Sequence, residues 1–289
     1  MGGGITQELA TAVTVMTGMG LFFATVLAIA YRFLRVEEDP RLEVVEDLLP
    51  GNNCGACGEP GCAGFAEKLV LGQVAPGKCT VADSETLEEI ASFLGVGMGA
   101  EEKRIARLKC AGGLGNVRDL AEYQGMSSCR AAAVVDGGGL GCIWGCVGLD
   151  DCAKACTFDA ITMNQERLPV VEPELCTACG DCVDVCPLDL FVILPESHKL
   201  LVQCSSPLSG EEAVDRCRVA CDACGRCALD APGDSVEMVN GLPVVHYDRE
   251  AKPTPEATWR CPTGAIVWLE GTQFEEPEEE DALPRRTYG

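Results

Sequence analysis

Histidine, aromatic side chains and positive charge are all scarce in this chain of 289 residues. The two histidines, His198 and His246, stand beside no cysteine run and read as surface residues. Aromatics make up 5% of the chain beside 33 Gly and 16 Pro, which argues against one large aromatic core and for two or three small modules held together by cofactors. Lys and Arg number 22 against 45 Asp and Glu, so the basic excess that phosphate binding requires is missing and nucleic acid is not an expected partner. No G-x-G-x-x-G follows a strand pattern and there is no P-loop; the run Gly137-Gly138-Gly139 leads to Cys142, not into a dinucleotide fold. No residue from Leu9 to Tyr31 is charged. At about 1.5 Å per helical residue that stretch can cross a bilayer. Arg32 and Arg35 follow it and no Lys or Arg precedes it, which places the C-terminal bulk in the cytoplasm. A cleaved signal peptide is the competing reading, disfavoured by the missing basic start and the length of the apolar run.

What the chain has in abundance is cysteine, 20 residues in clustered spacings that point to metal, not to disulfides. Cys176, Cys179, Cys182, Cys186 and Pro187 spell C-x2-C-x2-C-x3-C-P, the run with which bacterial ferredoxins hold [4Fe-4S] clusters. In that pattern three thiolates serve one cluster and the fourth serves its neighbour. Cys176, Cys179 and Cys182 therefore take distant Cys156, while Cys186 joins Cys152, Cys146 and Cys142. Leu149 occupies the usual middle position of that second set, so Cys142 is expected to substitute from a wider spacing.

The pattern recurs 75 residues later: Cys142, Cys146, Cys152 and Cys186 fall on Cys217, Cys221, Cys227 and Cys261. Cys221, Cys224, Cys227 and Cys261 make one complete site. The partner site has lost all four ligands, at Ala231, Ala251, Thr254 and Ala257. Nearer the N-terminus, Cys54, Cys57, Cys62 and Cys79 form a glycine-rich C-x2-C-x4-C-x16-C motif suited to one cluster, followed by a helix over 63–71. A [2Fe-2S] centre or zinc is the alternative for these thiols. Four expected [4Fe-4S] clusters use sixteen cysteines. A fifth, on Cys110, Cys129, Cys204 and Cys217, would use every thiol; the alternative is that these four are buried small hydrophobes. Residues 84–94 and 101–109 read as amphipathic helices. Lys103, Arg104, Arg107 and Lys109 form the densest basic cluster, read as a solvated face or as a docking patch for an acidic carrier.

The expected fold is α+β. It comprises a transmembrane helix over 9–31, a small helical four-Cys domain over 36–95 and a connecting helical, cysteine-bearing segment over 96–141. Two tandem ferredoxin-like modules follow, over 142–202 with two [4Fe-4S] sites and over 203–270 with one retained site, and then an acidic disordered tail over 271–289.

The charge-free helix, the stretch CGACGEPGCAGF closed by Cys79 and the tandem modules resemble RnfB, the iron–sulfur B component of Rnf membrane complexes. Lys109-Cys110-Ala111-Gly112-Gly113, Cys142-Ile-Trp-Gly-Cys146 and Cys152-Ala-Lys-Ala-Cys156 resemble its longer, clostridial-type form; the erased site in the second module departs from it. The resemblance implies an electron-transfer subunit of an ion-translocating ferredoxin:NAD oxidoreductase, with no acid, base or nucleophile of its own. It implies soluble ferredoxin or flavodoxin, membrane subunits and an NADH-binding subunit as partners. It also implies a single-pass place in the inner (cytoplasmic) membrane, in contact with lipid. A membrane-tethered polyferredoxin without pumping and a zinc-rich interaction module are the competing functions.

Overall fold

The computed structural model describes residues 3–34, 39–99 and 102–274. Helix α1 (Gly3–Leu34) contains a 24-residue span, Ala10–Phe33, of mean hydropathy 2.0 and without buried residues. It is long and apolar enough to cross a membrane. Three short helices follow: α2 (Pro40–Leu48), α3 (Cys62–Val70) and α4 (Ser84–Leu94). Asp39 caps α2 by accepting from the Arg41 N–H at 2.9 Å, with Pro40 in the first turn; Asp83 caps α4 by accepting from Thr86 at 2.7 Å. Their inner faces bury Val45, Leu49, Phe65, Ala66, Leu69 and Ile90 in one core.

Beyond this domain lie two halves, each made of two antiparallel strand pairs. In chain order the elements are β1 (Arg104–Leu108), α5 (Cys129–Val134), α6 (Asp151–Ala155), β2 (Ile161–Met163), β3 (Pro169–Val171), α7 (Asp181–Val185) and β4 (Phe191–Pro195). There follow β5 (Leu200–Val202), α8 (Gly210–Arg216), α9 (Arg226–Asp230), β6 (Val236–Val239), β7 (Leu242–Val245), α10 (Glu256–Trp259) and β8 (Ile266–Trp268). In the first half β1 pairs with β4 and β2 with β3; in the second β5 pairs with β8 and β6 with β7.

The fold departs from the sequence expectation in three places. The segment 101–109 holds a strand, not a helix: Ile105 to Leu108 are all buried, which removes the alternation that marks a half-exposed strand. That strand belongs to the first module, so the module begins before residue 142 and the stretch 109–141 is an insertion within it. Arg107 accordingly lies under the surface, its guanidinium donating to the Gly271 carbonyl at 2.8 Å, and is no part of an exposed basic patch. The end of the second module also runs further than 270. Gln273 is 2% exposed and exchanges two hydrogen bonds with the Leu108 backbone, at 3.0 and 2.8 Å. The acidic stretch 275–281 lies outside the described residues, as does most of the neck 36–39.

The vacated half of the second module is filled by its own core. Ala231 and Ala257 pack with Leu200, Val236 and Ile266, so the fold persists where ligands are missing. His198 is stacked on Tyr247, ring centroids 3.6 Å apart, and is less free than a surface residue.

Candidate metal centres

Three cysteine-bearing loops share one backbone signature. The residues before and after the middle position have positive φ: Gly148 and Asp150, Ala178 and Gly180, Ala223 and Gly225. Positive φ at Ala178 and Ala223 is uncommon outside glycine and is held by the surrounding fold. The loop around Leu149 keeps this shape although its middle cysteine is gone.

Cys54, Cys57, Cys62 and Cys79 line one cavity, roofed by Phe65. Asn53 braces the loop: its Oδ1 accepts from the Cys62 N–H at 2.8 Å, and its Nδ2 donates to the Gly51 carbonyl at 3.1 Å. Buried Glu59 ties the same loop to Lys68 at 2.5 Å and to Lys78 at 3.6 Å. These cations hold its carboxyl below the usual carboxylate range, the Lys68 hydrogen bond contributing most. Cys156, Cys176, Cys179 and Cys182 line a second cavity. The two cavities meet where the Thr80 hydroxyl donates to the Thr177 carbonyl at 2.6 Å, one residue beyond Cys79 and one beyond Cys176. Cys221, Cys224, Cys227 and Cys261 gather in the second module, where Cys227 faces both Cys261 and Cys224. Cys224 is the exposed member.

The fourth group differs from expectation. Cys152 lies near Cys129 and Cys186, and Cys146 lies near Cys110, Cys152 and Cys129. Cys129 thus lies beside Cys146, Cys152 and Cys186, the three neighbours expected for Cys142. The Leu149 N–H points at the Cys129 thiol, which reaches the loop from the insertion. Asp151 holds that side chain in register: its Oδ2 accepts from the Cys129 N–H at 2.8 Å and from the Ser128 hydroxyl at 2.9 Å. Cys142 lies instead with Cys110, Cys204 and Cys217. Sequence spacing could not reveal this, because Cys129 reaches its neighbours across an insertion. The one available signal was Leu149 itself, a gap in a pattern with spare thiols upstream.

Burial is the main influence on these thiols when free. It pushes Cys110 and Cys221 up to about 11 and Cys152 and Cys182 up to about 12, with neighbouring thiols adding to the rise. They are protonated at neutral pH, and loading a metal centre must release protons. Amide N–H groups aim at the sulfurs: Gly112 and Cys146 donate to Cys110 Sγ at 3.4 and 3.3 Å, and Leu190 donates to Cys186 Sγ at 3.5 Å. Such bonds favour the thiolate form that iron–sulfur centres need. Among the described residues no three Cys, His or carboxylate side chains converge tightly enough to share one metal ion. Tetrahedral zinc, with Zn–S near 2.3 Å, would need sulfurs about 3.8 Å apart.

Comparison with known proteins agrees with this chemistry. Residues 49–81 match a family model described as a putative Fe-S cluster, and residues 169–190 match a 4Fe-4S binding domain. One relative is the B component of the Na(+)-translocating ferredoxin:NAD(+) oxidoreductase complex of Acetobacterium woodii, 36% identical over 247 residues that cover 86% of this chain and 74% of that protein. Another is the B component of the proton-translocating ferredoxin:NAD(+) oxidoreductase complex of Clostridium ljungdahlii, 35% identical over 272 residues, covering 93% and 95%. A third is the B component of the ion-translocating oxidoreductase complex of Methanosarcina acetivorans, 32% identical over 245 residues, covering 85% and 93%.

Proposed function

From the premise that this chain belongs to the family of B components of ion-translocating ferredoxin:NAD(+) oxidoreductase complexes, the Rnf complexes, we propose that it is their membrane-anchored electron relay. The observation that carries the proposal is four groups of four thiols in one chain: 54/57/62/79, 156/176/179/182, 129/146/152/186 and 221/224/227/261. Bound [4Fe-4S] clusters would supply one-electron transfer without proton or group chemistry.

The protein's part is to hold, insulate and tune. Burial keeps water from Cys182, Cys221 and Cys227, and the loop amides point at sulfur. The exposed Cys224, with Leu229 and Trp259 of the same module standing 79% and 73% exposed, gives the second module a face at which a ferredoxin or flavodoxin can dock. At the other end α1 fixes the four-Cys domain at the membrane, C-terminal bulk on the cytoplasmic side, beside the membrane and NADH-binding subunits. In this reading the thiols act as ligands, and the relay needs no acid, base or nucleophile. The ion moved, Na+ in one relative's name and H+ in another's, belongs to the complex.

Cys182→Ala tests the reading. In protein kept from oxygen it should remove one low-potential EPR signal and stop ferredoxin-dependent NAD reduction by membranes. An unchanged reduced spectrum with unchanged turnover would sink it.

A further inference from the structure

The two modules are related by more than the 75-residue repeat. Leu108 pairs with Phe191 and Val202 pairs with Ile266; Phe191 and Ile266 are one repeat apart, which makes Leu108 and Val202 equivalent by register. The Lys109 N–H donates to the Leu190 carbonyl at 2.8 Å, as the Gln203 N–H does to that of Ala265 at 2.7 Å. Cys110 and Cys204 are therefore equivalent, each two residues past the first strand of its module. Cys142 and Cys217 are equivalent as well, each four residues before the first loop cysteine, Cys146 and Cys221. The two segments run side by side, with the Ala111 N–H on the Gln203 carbonyl at 3.1 Å and the Ser205 hydroxyl on that of Lys109 at 3.0 Å. All four thiols line one cavity at this junction.

We propose that Cys110, Cys142, Cys204 and Cys217 bind a fifth iron–sulfur cluster on the pseudo-symmetric junction, two ligands from each module. The inference rests on the reading that the other sets hold clusters, and extends it to a site that no family match covers. Two glycines argue for it. A Cβ on Gly112 would stand 2.9 Å from Cys217 Sγ and 3.7 Å from Cys110 Sγ; one on Gly145 would stand 3.4 Å from Cys142 Sγ and 3.5 Å from Cys110 Sγ. Backbone thus lies against the sulfurs from two directions, and at Gly112 any side chain would intrude, while at Gly145 a Cβ would rest in ordinary contact. The Gly112 and Cys146 amides already point at Cys110 Sγ. Buried single cysteines that served only as small hydrophobes would not need this cradle.

The position also supplies a role. Cys146 donates its N–H to Cys110, joining the junction to the 129/146/152/186 set, and Cys221 faces Cys204, joining it to the second module's set. Without a centre here the second module's thiols have no neighbouring set. With one, all five sets form a line, through which a single electron passes with no bond made or broken.

The test is iron counting and native mass on full-length protein prepared without oxygen. The proposal expects ~20 iron and ~20 sulfide per chain in the parent, and ~16 in Cys204→Ser and in Cys217→Ser with the other EPR signals kept. A parent holding ~16, or zinc at the junction, overturns the fifth cluster and leaves the other four standing. An iron-free parent overturns both readings. If the variants do not fold, the parent's count and mass decide alone.

Discussion

Phe65→Ala tests whether packing, and not ligation alone, keeps the N-terminal cysteine pocket in shape. Phe65 is 1% exposed and touches both the apolar core and the cavity lined by Cys54, Cys57, Cys62 and Cys79. Truncating a buried Phe to Ala typically costs about 3–5 kcal/mol. A domain of roughly 60 residues with one small core seldom holds more than about 3–5 kcal/mol in total. The substitution therefore removes most of what holds α2, α3 and α4 together, while the two strand-paired halves have separate cores. The expected result is loss of ~4 iron per chain with the remaining clusters intact. Amide hydrogen exchange in α2 to α4 should become fast while that of β1 and β4 stays slow. A full iron complement with unchanged protection would show that thiolate–iron bonds alone organise the domain, and would refute the packing argument.

Two further perturbations address the modules. Gly139 has φ +82°, and a Cβ there would lie 2.2 Å from the Ala121 carbonyl oxygen, so Gly139→Ala combines a left-handed alanine with a backbone clash. At about 1–2 kcal/mol for the first and about 1–3 kcal/mol for the second, the insertion should lose its closure. Iron should then fall at the two sets that use Cys129 and Cys142, read by iron count and EPR. His198, stacked on Tyr247, has its pKa lowered chiefly by burial; Glu102 opposes that shift, while Lys252 and Arg104 add to it. The unfolded chain therefore binds the proton more readily, so this contribution is present above about pH 6.5 and is lost as pH falls through the depressed folded value. Thermal unfolding between about pH 5.5 and 8 should show that slope, and His198→Phe should flatten it.

Much of the site was legible because cluster ligation is written in short spacings. Cys54, Cys57, Cys62 and Cys79 line one cavity, Cys156, Cys176, Cys179 and Cys182 another, and Cys227 lies near Cys224 and Cys261, so cysteines grouped by short spacing are also near in space. What escaped has one physical origin. The insertion after β1 breaks the constant period, so Cys129 and Cys204 align by number while Cys110 and Cys204 are equivalent by strand register. A ligand arriving through an insertion carries no local spacing. The strand itself was hidden by burial on both faces, which spaces Ile105 and Leu108 as a helix would.

The alanines that fill the second module's lost site, Ala231 and Ala257 among them, have a consequence for traffic. A filled site there would be a spur: charge could park on it, or escape from it to oxygen, without advancing. With that cul-de-sac sealed by hydrocarbon, an electron entering at Cys224 under the proposed relay would have a single exit, toward the junction and the first module.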